Sequence, residues 1–157
     1  MFWYSVPKRM ETLMVRELSA EDRRAIDRTL ALHGHIFDRG ELDRVEEIFT
    51  PEIVYDLSDV GAGTYEGIEA IRSGALKLGA GNPIAHHVTN IVITSQEDDS
   101  VTAQSKGFII MADGSVASVT HLDTLRRVDS SWRISQRVIL AQRTPLGGLH
   151  LTHGGER

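Results

Sequence analysis

The chain has 157 residues, of which 41% are hydrophobic and 25% are charged, and these proportions are typical of a single globular domain. The net charge is -5 and no basic run occurs, so we do not expect a nucleic-acid partner. Cysteine is absent, which excludes disulfides, thiol catalysis and cysteine-ligated metals and fits a cytoplasmic location. No apolar run approaches the roughly 20 residues of a membrane-spanning helix, so a membrane partner is not expected either.

The sequence pattern divides the chain into three parts. Residues 1–17 lack a clear pattern, and we expect an N-terminal extension that is disordered or packs on a neighbouring subunit. Residues 18–143 carry the apolar periodicity of a folded domain. Residues 144–157 are glycine-rich without that periodicity, which predicts a mobile tail.

The first predicted element is a long helix. Ser19 can cap its start, and Asp22 stands three residues later, as in a capping box. Gly40 is placed to end the helix. Asp38 lies in the last turn, where a carboxylate opposes the helix dipole and is usually solvated. The buried stripe of this helix carries Ile26, Leu30, His33 and Phe37.

Two shorter helices are predicted on either side of a strand. Residues 41–49 form the second helix, which Pro51 stops. The strand covers residues 53–57 and is followed by a glycine-bearing loop at 58–64. Residues 67–78 form the third helix.

From His86 onward the pattern changes from helical to alternating, which predicts four strands. They cover residues 86–95, 101–111, 115–127 and 132–142. This order predicts an α+β fold in which three N-terminal helices cover the concave face of a cone-shaped, curved antiparallel sheet. Because the other face of the sheet stays uncovered, we expect a homodimer.

Alternation assigns the side chains of the first of these four strands to two faces. The inner face would carry His86, Val88 and Asn90, and the outer face His87, Thr89, Ile91 and Ile93. A titratable imidazole on the inner face is a candidate site residue. An isolated histidine in that position more often has a structural role, with its hydrogen bonds made to backbone groups. The other residues of the chain must therefore show whether His86 belongs to a site.

The third of these strands places His121 and Asp123 on one face between Val119 and Leu125. Burying charge is costly unless the charge is paired or functional. The pattern therefore indicates either a structural pair between His121 and Asp123 or a polar pocket inside an apolar cone. In the last strand, the same alternation groups Trp132, Ile134, Val138 and Leu140 on one face, with Gln136 among them.

Metal binding is the less favoured interpretation of the histidines. The pairs at 33/35 and 86/87 point to different faces of a helix and of a strand. A site built from His86, His121 and Asp123 would require their meeting in three dimensions. We therefore expect no metal and no cofactor.

Five segments carry a family resemblance: IFDRGELD at 36–43, FTPE at 49–52, YEG at 65–67, HHVTN at 86–90, and LRR through WRI between 125 and 134. They resemble the SnoaL-like branch of the cone-shaped fold named after nuclear transport factor 2. That branch includes scytalone dehydratase, ketosteroid isomerase relatives and the small subunits of ring-hydroxylating dioxygenases. Because the matching segments are mostly structural, the resemblance supports the fold better than a reaction.

The resemblance implies an acid/base dyad. Asp38 and His86 match the aspartate and histidine that are hydrogen-bonded to each other in scytalone dehydratase. Phe37 stands where the dehydratase has a tyrosine, so one hydroxyl is missing. His121 lies near the position of a pocket asparagine, and Tyr55 lies near an expected second tyrosine.

We therefore expect a lyase or isomerase that acts on a small cyclic or polyketide-like molecule by acid/base chemistry. Two alternatives stay open: a non-catalytic ligand-binding module, and a small structural subunit of a ring-hydroxylating oxygenase. The candidate catalytic residues are Asp38, His86 and His121, and the candidate substrate-binding residues are Tyr55, Asp123, Val88, Val119 and Trp132.

Overall fold

The computed structural model describes residues 17–151, so almost all of the predicted extension and the end of the predicted tail lie outside the described residues. The helices are α1 (Ala20–Asp38), a 3-10 helix (Leu42–Glu47), α2 (Ile68–Leu78), two three-residue 3-10 turns (Ser58–Val60 and Gly79–Gly81) and a final 3-10 segment (Pro145–Leu151). The strands are β1 (Phe49–Leu57), β2 (Gly63–Glu66), β3 (Ala85–Glu97), β4 (Ser100–Ile110), β5 (Val116–Val128) and β6 (Ser131–Ala141). No described helix combines the length and the apolar character needed to cross a membrane.

The six strands form one curved, open sheet in the order β2-β1-β6-β5-β4-β3. α1 packs against β3 and β6, and α2 packs against β1 and β2. The predicted α+β fold is confirmed. One pairing differs from the expected antiparallel sheet, because β1 runs parallel to β6. No hairpin joins these two strands, so a tight turn does not set their relative direction.

The predicted ends of α1 are confirmed. The Ser19 hydroxyl accepts a hydrogen bond from the Asp22 amide at 3.0 Å, and the Asp22 carboxylate bonds back to Ser19, which completes a capping box. Gly40 follows the helix with φ 66°, and the amides of Gly40 and Glu41 donate to carbonyls of the last turn. This is a Schellman ending, which favours glycine because of the positive φ.

Two elements between α1 and β3 differ from the prediction. The second helix is a short 3-10 helix, and the predicted loop at 58–64 contains the start of β2. β2 pairs with β1 through Leu57 and Gly63, so the glycine-bearing segment closes a hairpin. Such a short edge strand carries too few side chains for an alternating pattern to be visible.

A β-bulge in β3 corrects the predicted faces of that strand. Thr89 pairs with Lys106 but Val92 pairs with Gln104, so two residues, one of them Asn90, oppose a single residue of β4. Asn90 has φ 53°, the left-handed conformation that asparagine adopts more readily than most residues. Between this bulge and a second register shift at Ile93/Ser95, the alternation is inverted. Ile91 and Ile93, which were predicted to face outward, pack against the core.

A bulge at Ser135 corrects the predicted faces of β6. Leu125 pairs with Ile134 and Thr124 with Gln136, which leaves Ser135 as the extra residue. Trp132 and Ile134 are buried as predicted. After the bulge Arg137 and Ile139 point inward, whereas Leu140, which was predicted to share the face of Trp132, is 40% exposed.

A buried cluster ties the start of α1 to the turn between β5 and β6. The Asp22 carboxylate accepts hydrogen bonds from Trp132 Nε1 at 3.1 Å and from Arg127 Nη2 at 2.7 Å. The Arg127 guanidinium also lies 4.7 Å from the centre of the Trp132 ring. The hydrogen bond from Trp132, assisted by Arg127 and Ser19, holds the pKa of Asp22 below its usual value.

We expect Asp22→Asn to lower the free energy of unfolding at pH 7 by about 2 kcal/mol, because it removes the charge from a carboxylate that accepts four hydrogen bonds. The folded-state pKa of Asp22 is lowered, so its stabilisation is complete above the unfolded-state pKa of about 4 and is lost as the pH falls. Urea unfolding at pH 7 and at about pH 3 measures both effects. Equal losses at the two pH values would contradict the assignment of a charged Asp22.

Candidate functional site

Asp38 and His86 meet where the end of α1 lies against the start of β3. The His86 Nδ1 atom is 2.6 Å from Asp38 Oδ1, and the His86 amide donates to both carboxylate oxygens at 3.1 Å. The predicted contact between these side chains is therefore present. Its hydrogen bonds also offset the unfavourable position of a carboxylate at a helix C-terminus.

This geometry fixes the tautomer of His86. The Asp38 carboxylate only accepts hydrogen bonds, so Nδ1 carries a proton and the neutral ring presents Nε2 as an acceptor. The side chains of His86 and Asp38 are 20% and 25% exposed, so the pair is reachable from solvent. A partly exposed imidazole with a fixed tautomer has the geometry of a general base.

Gly34 allows α1 to approach β3 this closely. It lies one turn before Asp38 in α1, and a Cβ atom at this position would overlap the carbonyl oxygen of His86. Any side chain at position 34 would therefore separate the two halves of the dyad. The same glycine also brings His33 next to His86, with ring centroids 5.4 Å apart.

His33 and Tyr55 lie beneath the dyad. The His33 ring stacks on Phe37 at 4.5 Å, and its Nε2 atom is 3.4 Å from the Tyr55 hydroxyl. Burial, and then the positive charge of Arg137, hold the pKa of His33 well below its usual value. His33 is therefore neutral at pH 7 and can exchange hydrogen bonds with Tyr55. Burial raises the pKa of Tyr55, so its hydroxyl stays protonated.

A polar row crosses the inner face of the sheet. Arg137 pairs in register with Tyr55 on one side and with Asp123 on the other. The guanidinium is fully buried and binds the Asp123 carboxylate at 2.7 Å through Nε and at 2.9 Å through Nη2. Burial alone would lower the pKa of Arg137, but the charge and hydrogen bonds of Asp123 raise it overall. The interior thus holds a fixed, charged pair.

His121 lies on the same inner face, in β5, two residues before Asp123. Its Nδ1 atom is 3.1 Å from the Ser105 hydroxyl, and a Cβ at Gly107 would overlap its ring. Burial, followed by the charge of Arg137, lowers the pKa of His121 to about 3. His121 is therefore neutral at pH 7. Of the two interpretations given for His121 and Asp123, the structural pair is not formed, because Arg137 occupies the carboxylate.

The apolar candidates divide into two groups. Val119 and Leu125 are buried on the inner face of β5, and Val88 packs against the core from β3. Trp132 lies elsewhere, because its indole is bonded to Asp22. Asp22 and Asp38 stand at opposite ends of α1, about 24 Å apart at 1.5 Å per residue. The structure therefore does not bring Trp132 to the dyad.

Residues 18–138 match the family model of the SnoaL-like domain. The chain belongs to the SnoaL-like family. The dyad of this SnoaL-like domain joins the end of its first helix to the strand after α2. Among the residues described, no group of three His, Asp or Glu side chains is arranged to hold a metal ion. No curated protein matches the chain.

Three solved structures show the same fold. A candidate aromatic ring hydroxylase from Novosphingobium aromaticivorans is 25% identical, with a TM-score of 0.71 over 82% of this chain and 94% of that chain. The β subunit of a candidate aromatic-ring-hydroxylating dioxygenase from the same bacterium is 19% identical, with a TM-score of 0.65 over 85% and 97%. A candidate scytalone dehydratase from the same bacterium is 17% identical, with a TM-score of 0.65 over 80% of this chain and 87% of that chain.

Arg137 and His33 are the interior residues of this SnoaL-like domain that the sequence interpretation missed. His33 was assigned only to the buried stripe of the helix, and Arg137 was hidden by the bulge at Ser135. One signal for a buried cation existed. Asp123 was predicted to face inward, and a buried carboxylate requires a partner of opposite charge.

Proposed function

We propose that this chain is a cofactor-free acid/base enzyme of the dehydratase or isomerase type, acting on a small cyclic or polyketide-like molecule. The observation that carries the proposal is the contact of 2.6 Å between His86 Nδ1 and Asp38 Oδ1 on a partly exposed imidazole. Interior polar groups that remain neutral at pH 7 support it, because they can position a neutral substrate.

The proposed reaction begins when Nε2 of His86 takes a proton from the carbon next to a substrate carbonyl. The electron pair of that C–H bond moves onto the carbonyl oxygen and forms an enolate. Tyr55 or His121 stabilises this oxygen by a hydrogen bond. The imidazolium then returns the proton to a leaving hydroxyl, which departs as water, or to another carbon, which moves the double bond.

Deuterium exchange tests this proposal before the natural substrate is known. The protein is incubated in D2O with a pool of small cyclic ketones, and NMR follows the protons next to each carbonyl. Exchange that depends on the protein supports His86 as a base. If no ketone of the pool exchanges faster than in buffer, while some of them bind, the acid/base proposal fails.

One observation favours a second candidate, a ligand-binding module without catalysis. Phe37 stacks on His33 at the position where the resemblance to scytalone dehydratase implies a tyrosine, so the site lacks one hydroxyl. Under this alternative, ligands bind equally to the wild type and to Asp38→Asn, and neither turns them over. A role as the small subunit of a ring-hydroxylating oxygenase has weaker support, since only the fold of the related β subunit favours it.

We also propose that the protein is a cytoplasmic homodimer formed through the outer face of the sheet. Three apolar side chains project from that face: Phe108 (36% exposed), Leu122 (39%) and Leu140 (40%). Large exposed apolar groups on one face are typical of an interface. The related dioxygenase β subunit, named as a subunit, supports assembly into an oligomer.

Leu140→Glu is expected to raise the dimer dissociation constant at least about tenfold, because it places a charge in the proposed interface. Light scattering at micromolar concentration measures the mass of each form. Leu76→Glu is the matched control, since Leu76 is 72% exposed on α2, away from the sheet. A monomeric wild type would contradict the dimer.

A further inference from the structure

The third nitrogen of Arg137 is an anomaly in the interior. Nε and Nη2 bind Asp123, whereas Nη1 is buried and makes no hydrogen bond of good geometry; the Tyr55 hydroxyl is a polar neighbour that interacts with the guanidinium. Buried polar groups in folded proteins are nearly always hydrogen-bonded, and a charged donor is the most costly exception. Such an exception at the base of a candidate site indicates a group that receives a ligand atom.

The position of Arg137 connects this donor to the dyad through Tyr55 and His33. Asp123 binds the edge of the planar guanidinium that carries Nε and Nη2, so Nη1 lies at an edge that the carboxylate does not contact. The positive charge of Arg137 lowers the pKa values of both His33 and His121. The geometric link runs through two side chains: Arg137 pairs in register with Tyr55, and the Tyr55 hydroxyl is 3.4 Å from His33 Nε2. The ring centroids of His33 and His86 are 5.4 Å apart.

Tyr55 offers a second donor at the same place. It is the register neighbour of Arg137 on β1, and its hydroxyl is 3.4 Å from His33. A contact of this length is weak, so the hydroxyl can turn to a better acceptor. Because Tyr55 stays protonated and His33 stays neutral, the exchange requires no change of charge.

We propose that Arg137 Nη1 and the Tyr55 hydroxyl form an oxygen-binding subsite, and that the substrates are neutral ketones or phenols whose oxygen becomes an enolate or phenolate there. The inference rests on the proposed function for the location of the pocket. Arg137 would then be a catalytic residue, since it would touch the oxygen on which charge develops.

The balance of charge selects this class of substrate. Arg137 is already neutralised by Asp123, so a ligand that arrives as a carboxylate brings an unpaired charge into the interior. A ketone or phenol arrives uncharged. When its C–H or O–H bond ionises, the proton moves to His86 Nε2 and the electron pair stays on the substrate oxygen. The site as a whole therefore gains no net charge.

Binding of 4-nitrophenol tests the subsite without any turnover, because its neutral and ionised forms absorb at different wavelengths. The matched control ligand is 4-nitroanisole, in which a methyl group replaces the acidic proton. We expect the wild type to bind the phenol at least tenfold more tightly than the anisole. We also expect the bound phenol to ionise at a lower pH than the free phenol.

Two variants assign the effect to the subsite. The double variant Arg137→Met/Asp123→Leu removes the charged pair together, so that no lone buried charge remains. It should bind the two ligands equally and lose the ionised spectrum. Tyr55→Phe, which removes only one hydroxyl, should reduce the preference in part. Circular dichroism shows whether the double variant folds. If it does not, the preference for 4-nitrophenol over 4-nitroanisole in the wild type, and its partial loss in Tyr55→Phe, still test the subsite.

The outcomes separate this inference from the proposed function. Equal binding of phenol and anisole by the wild type, or no binding of the phenol, overturns the subsite whatever the enzyme turns over. Unchanged deuterium exchange in His86→Asn overturns the role of the dyad and leaves a measured preference for the phenol standing.

Discussion

Replacing His86 with asparagine is expected to lower kcat for proton exchange about 10³-fold, the typical contribution of a well-placed general base. Asparagine is similar in size, and the backbone amide at position 86 can still donate to both oxygens of Asp38. The fold should therefore be kept, which circular dichroism and the unfolding midpoint will show. What the variant lacks is a nitrogen that can accept a proton.

His87→Asn is the matched control for this experiment. His87 is the next residue of β3 and stacks on Phe108 at 4.4 Å, away from the dyad. The His87→Asn variant should retain the deuterium-exchange rate of the wild type. If both variants lose activity equally, or if His86→Asn retains it, the assignment of His86 as the base is wrong.

Asp38→Asn is expected to lower kcat about 10²-fold with little change in KM. The asparagine amide can donate to His86 Nδ1, which favours the tautomer with the proton on Nε2. That tautomer cannot accept a proton from the substrate. Because Asp38 acts through His86 and does not touch the substrate in this scheme, it is a positioning residue, and binding should be preserved.

Asp43→Asn provides the control for removing one carboxylate. Asp43 is an exposed residue of the 3-10 helix after α1, and its loss should leave both kcat and KM unchanged. A rise in KM with an unchanged kcat in Asp38→Asn would show that Asp38 binds ligand directly and does not orient His86.

The parts of the fold that local patterns determine could be predicted from the sequence. The capping box at Ser19, the ending at Gly40 and the four long strands depend on neighbouring residues, and the structure places each of them within a few residues of the prediction. Asp38 and His86 could be paired because both lie at element ends that the family resemblance identifies. His86 also precedes the bulge in β3, so simple alternation assigns its face correctly.

The interior of the site could be predicted only in part, because it depends on non-local structure. The bulges at Asn90 and Ser135 invert the alternation of β3 and β6, and no local signal in the sequence fixes their positions. Arg137 was therefore not recognised as an inward-facing residue. His33 satisfies the pattern of a buried helix stripe equally well with or without a role in the site. The parallel pairing of β1 with β6 joins distant segments and is likewise invisible to local patterns.

The bulge at Ser135 also restricts how the length of β6 can change during evolution. Because of this bulge, Ile134 and Arg137 share the inner face although they are three residues apart. Deletion of Ser135 would leave them two positions apart, so regular alternation would keep both side chains inward and Arg137 opposite Asp123. One further residue between Ile134 and Arg137 would instead turn Arg137 to the outer face if the bulge stayed a single residue, and Asp123 would lose its counter-charge. Homologous sequences should therefore tolerate the loss of Ser135 and reject an insertion at this point of the strand.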